Sequence, residues 1–465
     1  MLGYHGFKYF VGFRGLGSRL DLDLEMIYAL IEAIRLSEKI KPSQDAKRRA
    51  FKKYGLIGSQ RDPLLTAIFY GVMKRLGILD RVIEDIVDTN PYIIDPWLRS
   101  ALRLLVEITH FRDPSRKTIK LLGKPVASFI SNKTHPYNSI YYYRVYERIV
   151  NNEYRFKPVS IDDELMLKYM VPSWYAKKII DLLGEDEAYR LFKAFNEIPL
   201  ISIRVNTLKT NVERVVEELR KEGKKPIRSK VVDTVLKFRG PYNFEKSKLW
   251  RNGYIIVQEE ASAYASILLD PKPGMTIVDL AAAPGGKTEH IGELMKNKGI
   301  IYAFDISSLR IKRMRELLRR TGIDIVEIFE RDAREAPEIL GYGIADRVLL
   351  DAPCSSDGTL ARNPDLRWRL REERVFDLQE LQKELLEAGW KLLRESGRLL
   401  YCTCSLLKEE NEDVIKWFLE KYRDAELIPL NKPYDPGFLP GTMRVWPHKH
   451  NTIGFFYALI VKRSG

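Results

Sequence analysis

The chain has little cysteine and no long apolar run. Its 465 residues include three cysteines, Cys354, Cys402 and Cys404, all late in the sequence. An odd number placed this way is no disulfide framework. Cys402 and Cys404 are two apart, and no Cys/His cluster has the spacing of a zinc site, so no metal is expected. Apolar runs such as Val348–Leu350 fall far short of the ~20 residues needed to cross a bilayer. The opening stretch, MLGYHGFKYFVGFRGLG, lacks a basic start, a clean apolar segment and a small-residue cleavage site, which argues against a signal peptide. A cytoplasmic protein with no membrane partner is the expectation. Internal repeats and low-complexity tracts are also missing.

What is present points to several folded domains. The length exceeds one ordinary domain. Hydrophobic residues at 45% and charged residues at 30% suit a chain with a sizeable core. The net charge of +14 is unevenly spread: residues 1–150 hold 25 Lys/Arg against 15 Asp/Glu, and the remainder holds 52 against 48. A basic first third favours a polyanionic partner, with nucleic acid as the candidate.

The periodicities divide the chain in three. Leu24, Ile27, Leu30, Ile31 and Ile34 recur at helical spacing within 22–40. Further helices are predicted at 43–53, 60–77, 79–88, 96–110 and 137–150, with Asp95 before Pro96 marking one start and Ser43 capping another. This gives an all-helical domain over 1–155. Residues 156–250 read as a small α+β unit: helices at 162–171, 174–183 and 186–196, a strand at 200–206, a helix at 211–222 ended by Gly223, and a strand at 234–238. From 251 to 465 strands and helices alternate, with strands at 276–280, 299–304, 324–329, 346–350, 398–402 and 455–462. Such alternation predicts an α/β fold with a mostly parallel, doubly wound sheet.

Five stretches of that last region carry the candidate chemistry. In TIVDLAAAPGGKT (276–288) an apolar strand runs through a small-residue loop, Ala281 to Gly286, into a helix. Small residues let backbone amides approach a ligand at the carboxyl ends of the strands. The G-x-x-x-x-G-K phosphate loop is absent. Asp305 ends the next strand, about 20 residues on, where a carboxylate accepts from ribose hydroxyls; a helix-capping role is the alternative. Asp332 follows the third strand, as an acceptor for an adenine amino group or as a plain surface turn. VLLDAPCSSDGTLARNPD (348–365) delivers Asp351, Pro353 and Cys354 to the same edge, and RLLYCTCS (398–405) delivers Cys402 and Cys404. A cysteine at a strand end is more often an inert core residue, but two strands each ending in one beside such a loop is a less ordinary pairing.

Together, VQEEAS (257–262), AAAPGGKT (281–288), Asp305, Asp332, DAPCSSDGT (351–359), YCTCS (401–405) and GFF (454–456) resemble the catalytic domain of the RsmB/Sun (Fmu) family of RNA cytosine-5 methyltransferases. Order and spacing both agree. RVNTLK (204–209) resembles the family's RRM-like subdomain, and the helical start is similar to the NusB-like RNA-binding domain that some members carry. One departure stands before GFF, where members show an acidic residue and this chain has Thr452 and Ile453.

The resemblance implies a Rossmann-like, S-adenosylmethionine-dependent methyltransferase domain preceded by an RRM-like α+β subdomain and a NusB-like helical domain. It implies Cys404 as the nucleophile that adds to carbon 6 of cytosine, Cys354 as a helper in releasing the product adduct, Asp351 as a hydrogen-bonding partner for the base, and Lys287 near the base or methyl donor. It assigns cofactor contacts to Ala281, Ala282, Ala283, Pro284, Gly285, Gly286, Lys287, Asp305, Asp332 and Asp351. Cys402 matches no required position and reads as structural. The NusB-like start favours ribosomal RNA, with transfer RNA as the alternative, since no PUA-type domain is apparent. Two other readings compete. A DNA cytosine-5 methyltransferase would use Cys354 as nucleophile, but its Glu-Asn-Val motif is absent. A non-catalytic ribosome-assembly factor would not need the full set of reactive residues found here.

Overall fold

A computed structural model describes residues 19–463, apart from 152 and 155. The aromatic, glycine-rich stretch 1–17 lies outside the described residues. The chain folds as two units. One takes the described residues up to Asp181 together with Asn363–Arg369; the other takes Leu182–Arg362 and Leu370 onward.

The first unit is helical. Leu24–Ser37, Ser43–Lys53, Asp62–Val87, Pro96–Phe111 and Pro136–Val150 are its larger helices, joined by Arg116–Leu122 and Lys124–Ser131, which the periodicity did not predict. Their apolar faces meet in one core that includes Ile27, Ile31, Phe69, Leu102 and Leu105. Asp95 caps its helix as expected, accepting from the amides of Trp97 and Leu98 at 2.8 and 3.2 Å. Ser43 does not cap: it is the first helical residue, and its hydroxyl donates to Asp365 Oδ1 at 2.7 Å.

The expected helices 60–77 and 79–88 are one continuous helix, Asp62–Val87. The first of the two expected helices ended at Gly77, a residue type that weakens a helix. Its role is steric instead. A Cβ there would fall 2.2 Å from the Trp368 ring, whose indole nitrogen donates to Lys74 O at 3.0 Å. Trp368 belongs to Asn363–Arg369, the segment that this unit takes from far along the chain. Arg367 beside it is buried and donates to Met170 O at 2.9 Å.

Part of the basic charge of this unit points inward. Arg103 pairs with Asp80 at 2.6 Å, Arg99 with Glu38 at 2.6 Å, and Arg75 with Glu107 at 2.9 Å. Each such pair takes one cation and one anion out of play, so the net basic excess of this unit is unchanged.

The second unit holds two sheets. The small one has strands β1 (Ile201–Val205), β2 (Ile227–Arg228), β3 (Val235–Phe238) and β4 (Ile255–Val257) in the order β2-β3-β1-β4, all antiparallel. The helix Val212–Lys221 packs Val215, Val216 and Leu219 into the same core as Ile203 and Leu236. Gly223 follows this helix at φ 75°, as expected.

The large sheet comprises β5 (Thr276–Asp279), β6 (Ile300–Asp305), β7 (Val326–Glu330), β8 (Ala345–Asp351), β9 (Leu393–Thr403), β10 (Ala425–Leu427), β11 (Asp435–Pro436), β12 (Met443–Val445) and β13 (Phe455–Lys462). Its order is β11-β12-β13-β9-β8-β5-β6-β7, with β10 also on β13. The pairs among β5–β9 are parallel, and β13 runs antiparallel to β9. Val278, Val348, Leu350, Leu399 and Tyr401 bury one face and Ile277, Leu349, Leu400 and Cys402 the other, as near-continuous apolar strands require. The strand order reverses between β5 and β8, so a ligand crevice is expected at the carboxyl ends there.

A buried charge cluster ties the two sheets of this unit together. Arg204 on β1 is fully buried, pairs with Glu289 and Glu293, and donates from Nε to Gln258 Oε1 at 2.7 Å. Glu289 and Glu293 lie on the helix Gly286–Leu294 that follows the small-residue loop. Such a cluster fixes register more than it adds stability, since desolvation offsets much of the attraction.

Candidate active site

The loop between β5 and its helix is pinned from several sides. Ala282 N donates to Phe304 O at 2.9 Å, and Gly285 N to Ala282 O at 2.8 Å. Gln258 Nε2 donates to Gly286 O at 3.1 Å. Asp305 at the end of β6 accepts from Ala283 N at 3.1 Å through one oxygen and from Ser307 N at 2.9 Å through the other. Helix capping falls to Ser307, whose hydroxyl accepts from Arg310 N. Asp332 accepts from Arg334 N at 3.0 Å and pairs with the Arg334 guanidinium at 2.6 Å, which holds its carboxyl below the usual range. Asp279 is buried below the loop, accepting from Thr288 Oγ1 at 2.7 Å; burial, reinforced by the Asp351 charge, pushes its carboxyl up to about 7.

Lys287, the second residue of the helix, reaches Asp351 at the end of β8, with Nζ to Oδ2 at 2.6 Å. Its ammonium also lies 5.2 Å from the Phe455 ring centroid. Burial opposes the Lys287 charge, but Asp351 and the neighbouring sulfurs more than compensate and hold its pKa above the ordinary value. Cys402 lies within 3.6 Å of the other Asp351 oxygen, and burial holds its thiol well above the usual range.

The remaining two cysteines meet. Cys354 Sγ and Cys404 Sγ are 3.5 Å apart. Their hydrogen bond and burial push the Cys354 thiol well above its ordinary pKa, so Cys354 keeps its proton. Lys287, Asp351, Cys354 and Cys404 thus form linked pairs at the carboxyl ends of β8 and β9. Thr452, which departs from the family pattern, uses its hydroxyl as an acceptor for Ala261 N at 3.4 Å.

The motifs did not identify the layer beneath the sulfurs. Ser355, Asp357, Gln382, Ser405 and Glu410 form a hydrogen-bonded network there. Glu410 and Asn411, just before the helix Glu412–Lys421, were the available signal: a carboxyl and an amide ahead of a helix and close after a Thr-Cys-Ser turn. Asn411 Nδ2 donates to Ser405 O at 2.9 Å, and its Oδ1 accepts from the Thr403 hydroxyl at 2.5 Å.

Among the described residues, no group of three or more His, Cys, Asp or Glu side chains is arranged to hold a metal ion, and no helix is long and apolar enough to cross a membrane.

The sequence matches the family described as 16S rRNA methyltransferase RsmB/F over residues 266–461, and the RsmF/B-like ferredoxin-like domain over 171–245. A probable ribosomal RNA small subunit methyltransferase B from Synechocystis is 30% identical over 89% of this chain and 94% of its own length. The crystal structure of PH0851 superposes with a TM-score of 0.91 at 54% identity, covering 96% of this chain and 100% of its own. That of NSun6 from Pyrococcus horikoshii with SFG gives 0.58 at 28% identity, covering 62% and 98%. Fold and relatives together define an S-adenosylmethionine-dependent RNA methyltransferase with a Rossmann-like catalytic domain. The chain belongs to the RsmB/F family, whose members methylate carbon 5 of cytosine.

Proposed function

We propose that this enzyme methylates a cytosine of small-subunit ribosomal RNA in the cytoplasm, with Cys404 as nucleophile. The contact between Cys354 and Cys404 brings two thiols within reach of one base, and the family resemblance gives the attack to Cys404. Carbon 5 of cytosine is a poor nucleophile until a thiolate adds at carbon 6 and turns the ring into an enamine. Cys404 forms that sulfur–carbon bond. Cys354 Sγ lies 3.5 Å from Cys404 Sγ, close enough to assist release of the adduct that Cys404 forms. Asp351 and Lys287 present a carboxylate and an ammonium to the polar edge of the base. When a solvent base takes the proton from carbon 5, the C–H electrons form the 5,6 double bond, the sulfur–carbon bond breaks and Cys404 leaves as the thiolate.

The residues present fit S-adenosylmethionine. Asp305 Oδ2 accepts from Ala283 N and faces the Arg310 guanidinium at 3.4 Å, while Oδ1 accepts only from the Ser307 amide and has a second lone pair for a ribose hydroxyl. Ala281, Ala282, Ala283, Pro284, Gly285 and Gly286 would let the cofactor approach the backbone, and Asp332, just past β7 and paired with Arg334, would turn to accept from its adenine amino group. Bound there, the cofactor supplies an electrophilic methyl group. A stacked base cannot reach Cys404, so the target is single-stranded or flipped out at a cost of a few kcal/mol. The helical unit supplies RNA affinity, which weakens as salt rises.

Ribosomal RNA is preferred to transfer RNA because the Synechocystis relative is named for it. Bisulfite sequencing of total RNA from cells with and without the gene tests this. One small-subunit cytosine should lose its protection in the deletion strain; loss in transfer RNA alone would overturn the substrate assignment.

A further inference from the structure

Cys354 is bracketed by its own peptide neighbours. Gln382 Nε2 donates to Pro353 O at 2.8 Å, on the peptide before it. Glu410 Oε1 accepts from Ser355 N at 2.8 Å, on the peptide after it. The two clamping side chains also meet, Gln382 Nε2 to Glu410 Oε1 at 3.1 Å. Both are fully buried.

The same group reaches the second sulfur's loop. Ser355 Oγ lies 3.2 Å from Ser405 Oγ, so the residues following the two cysteines are linked. Asp357 Oδ1 accepts from Leu406 N at 2.9 Å, and Gly358 N donates to Cys404 O at 2.9 Å. The loops approach so closely that a Cβ on Gly358 would fall 2.7 Å from Cys404 O. Ser355 has one hydroxyl proton but faces Glu410, Asp357 and Ser405. Burial pushes the Glu410 carboxyl up to about 7, and the Asp357 charge adds to this.

We propose that Glu410 is a positioning residue: with Gln382 it holds Cys354 in register with Cys404, and so sets the rate at which the covalent RNA adduct is resolved. The inference rests on the roles given above to the two sulfurs. Glu410 touches no reacting atom. It acts on Cys354 through the Ser355 amide and also bonds the Ser405 side chain beside Cys404, so its loss should slow release more than it slows adduct formation. Displacements of about 1 Å at a reacting group can cost 10²-fold in rate.

The test uses the full chain, transcribed small-subunit ribosomal RNA and labelled S-adenosylmethionine. Steady-state turnover and denaturant-resistant protein–RNA adduct are measured together. E410A should lose about 100-fold in kcat, change the KM for S-adenosylmethionine less than about threefold, and accumulate adduct above wild type. E410Q keeps an acceptor for Ser355 N and should recover much of the turnover. Q382A should show a milder form of the same defect, and it decides the matter if E410A does not fold. Wild-type turnover in E410A, or slow turnover without extra adduct in protein that still binds the cofactor, would overturn the proposal. If wild type methylates no RNA cytosine, or C404A remains active, the underlying reading fails, and the proposal with it.

Discussion

Cys354 and Cys404 end strands β8 and β9 on separate loops, yet their sulfurs lie 3.5 Å apart. The contact puts both thiols at one site, and the proposed mechanism gives them unequal tasks. C404A should therefore abolish methyl transfer and form no adduct. C354A should still attack RNA but stall as a covalent complex that survives denaturation. Gel analysis with labelled RNA checks both, and an active C404A beside a dead C354A would reverse the assignment.

Lys287 and Asp351 form a charge-assisted contact at 2.6 Å beside these sulfurs. Removing one partner leaves the other charge partly buried and unpaired. K287M should lower kcat by about 100-fold or more, as the loss of a preorganised electrostatic group does. D351N keeps the shape and should lose less. Single-turnover rates at saturating cofactor separate this from weaker binding.

Asp279 supplies a pH dependence. Its folded pKa is raised to about 7 against ~3.9 for an unfolded aspartate. The folded state then holds the proton more tightly, so stability rises as pH falls from about 7 towards about 4 and levels off below that. The contribution is on the order of a few kcal/mol at most. Glu410 also titrates near 7, so the readout is the difference between wild type and D279N in cofactor-free protein. D279N should be the more stable at pH 8, with the gap closing by pH 4. Urea denaturation at several pH values checks the sign.

Gly77 sets two effects against each other. Alanine is the better helix former by ~1 kcal/mol. Its Cβ would overlap the Trp368 ring, and overpacking of that kind costs about 1–3 kcal/mol. G77A should therefore lower the melting temperature despite its helix propensity; G77A with W368A should recover the propensity gain.

The sequence was most legible where a local rule and a tertiary role coincide. Phe455–Lys462 was read with its observed bounds because its apolar patterning is continuous. The parallel pairing among β5–β9 followed from alternation alone, whereas their order did not. Asp305 and the small-residue loop were legible as a pair, since a carboxylate and a tight turn at fixed separation are local signals. Gly77 was misread because its partner, Trp368, is remote in sequence. The Ser355, Gln382 and Glu410 network was missed for the same reason: its members sit on three segments, and each alone looks like an ordinary polar residue. Ser43 was read as a cap because nothing local shows Asp365 as its partner.

The helical unit borrows Asn363–Arg369 from a loop that leaves the strand ending at Asp351 and returns to the helix Glu372–Leu392. During synthesis its packing around Lys74, Gly77 and Met170 stays unfinished until more than half of the catalytic sequence has been translated. A single cut near residue 181 would strand Trp368 and Arg367 on the wrong piece. The two units are therefore poor candidates for separate expression, and a nascent chain halted before residue 369 should be more open to protease than the finished enzyme.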